Sequence, residues 1–158
     1  YDQRPVEMRS DVLCYTSTPM TTDMEVTGPI RAVLYAATDG LDTDWTAKLV
    51  DVSESGYAMN LCDGIIRARF RTGFDRQLLL EPDSICCYEI EMGVTGNVFR
   101  KGHSIRLEIS SSNFPRFDRN PNTGAILGND DKMRTAMQTV YHDTEHASHI
   151  VLPIIPKG

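Results

Sequence analysis

The chain has 158 residues, enough for one domain that buries roughly 68–70% of the surface its unfolded form exposes. Lys and Arg total 16 against 22 Asp and Glu, a net charge of -6, which argues against a basic nucleic-acid footprint and so against a nucleic-acid partner. The longest apolar run, residues 150–155, is broken by Pro153 and falls far short of the ~20 residues a membrane span needs, so no membrane partner is expected.

Residues 1–10 are charged and irregular, and are expected to be a tether from an upstream domain; 11–158 form the domain itself. Residues 12–15 and 24–27 are short strand candidates, the second ended by the turn signal Gly28, Pro29. Over 30–36 the pattern alternates, with Ile30, Ala32, Leu34 and Ala36 on one side. Asp39, Asp42 and Asp44 crowd the next turn. They are carboxylates of the kind that hold calcium, but without the ordered ligand spacing of an EF-hand, and they read as strand-ending residues. A strand over 45–52 places Trp45, Ala47 and Leu49 on one face. A hairpin loop at 53–56 turns it back through 57–62.

Asp63 and Gly64 read as a turn. The next run sets Ile66, Ala68 and Phe70 inward and Arg67, Arg69 and Arg71 outward. That basic stripe reads as a solvated face paired with Glu89, Glu91 or Glu108 on neighbouring strands, in preference to an anion-binding surface. Residues 86–92 alternate again, and 93–102 are expected to connect to a strand with Ile105, Leu107 and Ile109 on its apolar face. The segment from 129 to 142 suits either a helix or a strand by periodicity. Short strands at spacings near ten residues, with one-sided alternation and Gly, Pro and Asp between them, predict an all-β antiparallel sandwich.

Candidate chemistry is sparse. No Gly-x-Ser-x-Gly pentapeptide is present to lift a nucleophile, so Ser110, Ser111 and Ser112 read as strand-end hydroxyls and no catalytic residue is assigned. His142, His146 and His149 would share a helical face, but the β-branched run and Pro153 after them favour a surface hairpin, and no metal site is assigned. His103 reads as structural. No motif calls for a cofactor. Cys14, Cys62, Cys86 and Cys87 lack zinc spacing and read as free thiols, which suit a reducing, cytoplasmic-type compartment. Trp45 reads as core in preference to a sugar-stacking platform.

The most informative stretch is 110–124: Ser110, Ser111, Ser112, Asn113, Phe114, Pro115, Arg116, Phe117, Asp118, Arg119, Asn120, Pro121, Asn122, Thr123, Gly124. Two prolines end the strand pattern, and the loop that follows carries more committed side chains than a connector needs. Together with Asp44, Trp45, Thr46, Ala47, Lys48, Leu49, Val50, Asp51, Val52 and with Ser148, His149, Ile150, Val151, Leu152, Pro153, Ile154, Ile155, it resembles the C-terminal domain of the cocaine-esterase-like (CocE/NonD) serine hydrolases. That family includes X-Pro dipeptidyl-peptidases, α-amino-acid ester hydrolases and glutaryl-cephalosporin acylases. The resemblance runs from about residue 2 to 156. It implies a galactose-binding-domain-like jelly roll, appended to upstream α/β-hydrolase and cap domains that hold the serine, aspartate and histidine of the triad. It also tips 136 onward toward a strand that returns through a tight turn to 150–155. On this basis Asn113, Phe114, Arg116, Phe117, Asp118, Arg119 and Asn120 are the expected inter-domain contact. A carbohydrate- or ligand-binding sandwich module is the alternative function, and sheet edges could also pair copies of the chain into a homo-oligomer.

Overall fold

A computed structural model describes residues 2–126, 128 and 132–156. It holds a short helix α1 (Arg4–Glu7) and eight strands: β1 (Leu13–Thr16), β2 (Met24–Thr38), β3 (Asp44–Val52), β4 (Ala58–Arg67), β5 (Cys86–Phe99), β6 (Ser104–Ser110), β7 (Gln138–Tyr141) and β8 (His149–Val151). The first sheet has the order β1-β6-β3-β4; the second is β5-β2-β7, with β8 also on β2, and all pairings are antiparallel. The chain crosses between the sheets at β1–β2, β2–β3, β4–β5, β5–β6 and β6–β7, the jelly-roll sandwich that the resemblance implied.

The alternations read in the sequence line the core. Val26, Ile30, Ala32, Leu34 and Ala36 of β2 meet Trp45, Ala47 and Leu49 of β3, Tyr88, Ile90 and Met92 of β5, and Ile109 of β6. Trp45 is 1% exposed and packs at a tilt against Tyr88, 6.0 Å between ring centroids, so it belongs to the core and offers no platform to a sugar. All four cysteines are free thiols.

Two turn signals turn out to lie inside strands. β2 runs on through Gly28 and Pro29, with a register shift between Pro29 and Arg31. A bulge accommodates the missing N–H of proline there, and Gly28 takes φ 138° against the Pro153 ring. β4 likewise runs through Asp63 and Gly64, because the sheets touch at that point: a Cβ on Gly64 would lie 2.1 Å from the Glu91 carbonyl oxygen. The expected connector after Met92 is the second half of β5, paired with the first half of β2.

The basic stripe also differs from its expectation. The strand ends at Arg67 and becomes one 3-10 turn, Ala68–Phe70, so the outward positions are lost and Arg69 is buried. The first residues are not irregular: α1 lies on the outer face of the first sheet, with the Gln3 N–H bonded to the Ala58 carbonyl at 2.8 Å. β7 occupies the later part of the ambiguous segment, of which 129–131 lie outside the described residues. β8 is shorter than expected, and beyond it Ile154 only bridges Val26.

Contact between β4 and β5 closes one flank of the sandwich. At the other, β1 and β6 stand off from β7 and β8, leaving an open cavity of about 340 Å³ lined by Tyr15, Ile105, Leu107, Val140 and Ile150. Leu107 therefore faces inward but is only half-buried, whereas Leu49 is fully enclosed. We expect Leu49→Ala to cost about 2–5 kcal/mol and Leu107→Ala about 1–2 kcal/mol in denaturant titrations. Equal losses at the two positions would show that this flank is closed in solution.

Candidate functional site

The loop between β6 and β7 is built on three buried carboxylates. Asp42, in the turn before β3, is fully buried, and Asp44, the first residue of β3, is 1% exposed. Burying such charges demands partners, and the arginines of the basic stripe supply them. Arg69 gives its backbone N–H to Asp42 Oδ1 at 2.9 Å and its Nε to Oδ2 at 2.7 Å. Arg67 grips Asp44 through Nε at 2.8 Å and a terminal nitrogen at 3.0 Å, and these hydrogen bonds push its guanidinium still further up from its ordinary value. Arg71 instead donates to the Ala68 and Leu78 carbonyls. The acidic turn and the basic stripe are thus two halves of one neutralised cluster. Asp39 stands apart, paired with Arg134.

The loop plugs into this cluster. Asn120 is buried, and its Nδ2 bridges Asp42 Oδ2 and Asp44 Oδ1, each at 2.9 Å. Its Oδ1 accepts the Asn122 N–H at 2.9 Å, which fixes the turn that carries the chain away. Arg69 also reaches the Ala125 carbonyl at 2.9 Å, and Arg67 reaches Asp118 at 3.1 Å. At the near end, Asn113 donates to Asp63 Oδ2 at 2.7 Å, and Arg116 pairs with the other oxygen of the same carboxylate. Asp63, which reads as a turn residue in the sequence, is an anchor inside β4.

Between these anchors the tip projects. Phe114 is 57% exposed, and the Arg119 guanidinium lies 4.3 Å above its ring. Arg116 lies 5.4 Å over Phe117. Of the seven residues expected at a contact, Asn113 and Asn120 brace the loop from within. Arg116 and Asp118 do so with one exposed side each, Phe117 is half-buried beneath the Arg116 guanidinium, and Phe114 with Arg119 forms an outward apolar and cationic surface. Sequence reasoning misses the bracing partners Asp42, Asp44, Asp63, Arg67 and Arg69 as site residues. Their signal is the clustering of three acids, Asp42, Asp44 and Asp63, and two bases, Arg67 and Arg69, around a single hairpin.

The serines and histidines make only local contacts. The Ser110 hydroxyl bonds Thr46 Oγ1 at 2.6 Å, and the Ser111 hydroxyl accepts from Gln138 at 3.1 Å; neither bonds a histidine among the described residues. His146 bonds Asp143 in the turn after β7, His149 bonds the Ala147 carbonyl, and His142 packs edge-on against Tyr15. His103 bonds Asp51 at 2.8 Å. Among the described residues no three His, Cys, Asp or Glu side chains form a metal-holding group.

This division of the loop sets an expectation. Asn120→Ala strips a donor from two buried carboxylates and is expected to cost about 1–3 kcal/mol. Phe114→Ala is expected to stay within ~0.5 kcal/mol in the same denaturant titration. A large loss from Phe114→Ala would place that ring in the domain's own core.

Residues 1–151 match the family described as the X-Pro dipeptidyl-peptidase C-terminal non-catalytic domain. The cocaine esterase of Rhodococcus sp. (strain MB1 Bresler) is 47% identical over 158 residues, covering 99% of this chain and 28% of that protein. Among solved structures, an aminopeptidase from a marine-sediment Thaumarchaeota archaeon superposes with a TM-score of 0.93 at 33% identity, over 98% of this chain and 27% of the other. An α-amino acid ester hydrolase gives 0.93 at 31% identity, again over 98% and 27%. The chain thus spans little more than a quarter of the length of these relatives.

Proposed function

The chain belongs to the X-Pro dipeptidyl-peptidase C-terminal non-catalytic domain family, and we propose that it serves a serine hydrolase of esters or amides by docking on that enzyme's catalytic and cap domains through the 113–120 loop. The relatives are named as an esterase, an aminopeptidase and an amino acid ester hydrolase, all of which cleave an acyl bond. An acyl-enzyme formed on a serine of the upstream domain fits that shared chemistry.

One observation carries the docking role: the loop has a rigid, buried polar base and an exposed tip. Phe114 offers aromatic area to a partner, and Arg116, Asp118 and Arg119 offer charge-assisted hydrogen bonds around it. A surface held this firmly presents its side chains with little ordering cost on binding. In this role the domain walls the active-site region and supplies no reacting group.

Two measurements test the proposal. The 158-residue chain should show no turnover of nitrophenyl acetate and no serine labelling by a fluorophosphonate probe; stoichiometric labelling would make it a hydrolase in its own right. In the longer parent enzyme, Phe114→Ala and Arg119→Ala should lower Tm or kcat/KM, while the same changes in the 158-residue chain shift stability by no more than ~0.5 kcal/mol. Parallel losses in both would reduce the loop to a closure of the sandwich.

A further inference from the structure

The outer face of the first sheet carries a second group of buried acids, away from the loop base. In register across the strands lie Cys14 of β1, which is exposed, Glu108 of β6 and Lys48 of β3, and the segment of α1 lies against the β3 and β6 positions. Three contacts hold that cover. The Gln3 N–H bonds the Ala58 carbonyl, Lys48 Nζ donates to Gln3 Oε1 at 3.0 Å, and Arg106 Nη1 donates to Glu7 Oε2 at 2.6 Å. Glu108 is 2% exposed, yet among the described residues neither of its carboxylate oxygens has a hydrogen-bond partner, and Glu7 Oε1 is buried and unpartnered as well.

Three acceptor oxygens without a donor, on two adjacent buried carboxylates, are an unstable arrangement when both are ionised. The surrounding cations are committed elsewhere. Lys48 serves Gln3, and Arg106 serves Glu7 Oε2 and Thr16. Cys14, the remaining titratable neighbour, has its thiol pushed up by burial and then by Glu7 and Glu108, so it stays neutral and adds no positive charge. A single proton on the pair would supply the missing donor and remove one of the two charges.

We propose that Glu7 and Glu108 share one proton, and that this proton is a pH-sensitive clasp holding the N-terminal segment on the sandwich. Burial, with the Glu7 carboxylate adding to it, pushes the Glu108 carboxyl up to about 7 against the pull of Lys48 and Arg106. With its value raised in the docked state, the group favours docking fully below its ordinary carboxylate range. That hold is lost as pH rises through neutrality, because the released state binds the proton less tightly than the docked state.

A carbon-13 NMR titration of the side-chain carboxyls in the 158-residue chain reads the proton directly. A step near neutrality at Glu108 is expected; a Glu108 carboxyl that titrates wholly below pH 5 would overturn the clasp. Opening of the segment is read by trypsin cleavage at Arg9, scored by mass spectrometry, in the unchanged chain and in Glu108→Gln. At pH 8 the variant should be cut about tenfold more slowly than the unchanged chain, and at pH 5.5 the two rates should converge. A ratio that does not vary with pH would reduce Glu108 to a packing residue. Should Glu108→Gln fail to fold, the titration of the unchanged chain decides alone.

Discussion

The end of the sandwich that carries the 113–120 loop depends on how two buried carboxylates are neutralised. Asp42 and Asp44 sit at the start of β3, where the backbone leaves a turn and enters the core. Unpaired, each would cost several kcal/mol and would open that end of the sheet. Arg67 and Arg69, delivered by the end of β4 and the turn after it, meet them from one side, and Asn120 meets both from the loop. Three segments far apart in sequence are thereby fastened at one point. The strand order then matters, because β3 lies between β4, which brings the arginines, and β6, which launches the loop.

The strands are legible wherever one face is buried, because inward and outward positions then differ in kind. Ile30 to Ala36 and Cys86 to Met92 are of this type. Legibility fails at three kinds of position. At Gly28 and Gly64 a glycine that reads as a turn is a place where another backbone or ring presses close, and that proximity belongs to the fold alone. At Arg69 the alternation continues in the sequence past the true end of the strand, so a buried residue reads as solvent-facing. On β3 both faces are covered, one by the core and the other by the N-terminal segment and the loop, so Asp44 and Thr46 are buried although they alternate like exposed residues.

The loop itself is legible as something other than a connector, but its two halves are not separable from composition. Asn113 and Asn120 look as polar as Arg116 and Arg119. Only the location of buried acids beneath them distinguishes anchors from tip. The same information is missing for Glu108, which alternates outward on β6 and becomes buried because α1 lies over it.

The first sheet thus buries acids in two ways. At the loop base every carboxylate is met by guanidinium or amide donors, and arginine stays charged at any pH a cell reaches, so the charges balance there without a shared proton. Beneath α1 the acids Glu7 and Glu108 face each other with too few donors, and only a proton can balance them. Both arrangements are built on β6 and β3, yet they fasten different segments. The consequence is separable control: the hold on the N-terminal segment responds to pH, while the 113–120 loop keeps its geometry and its tip stays presented.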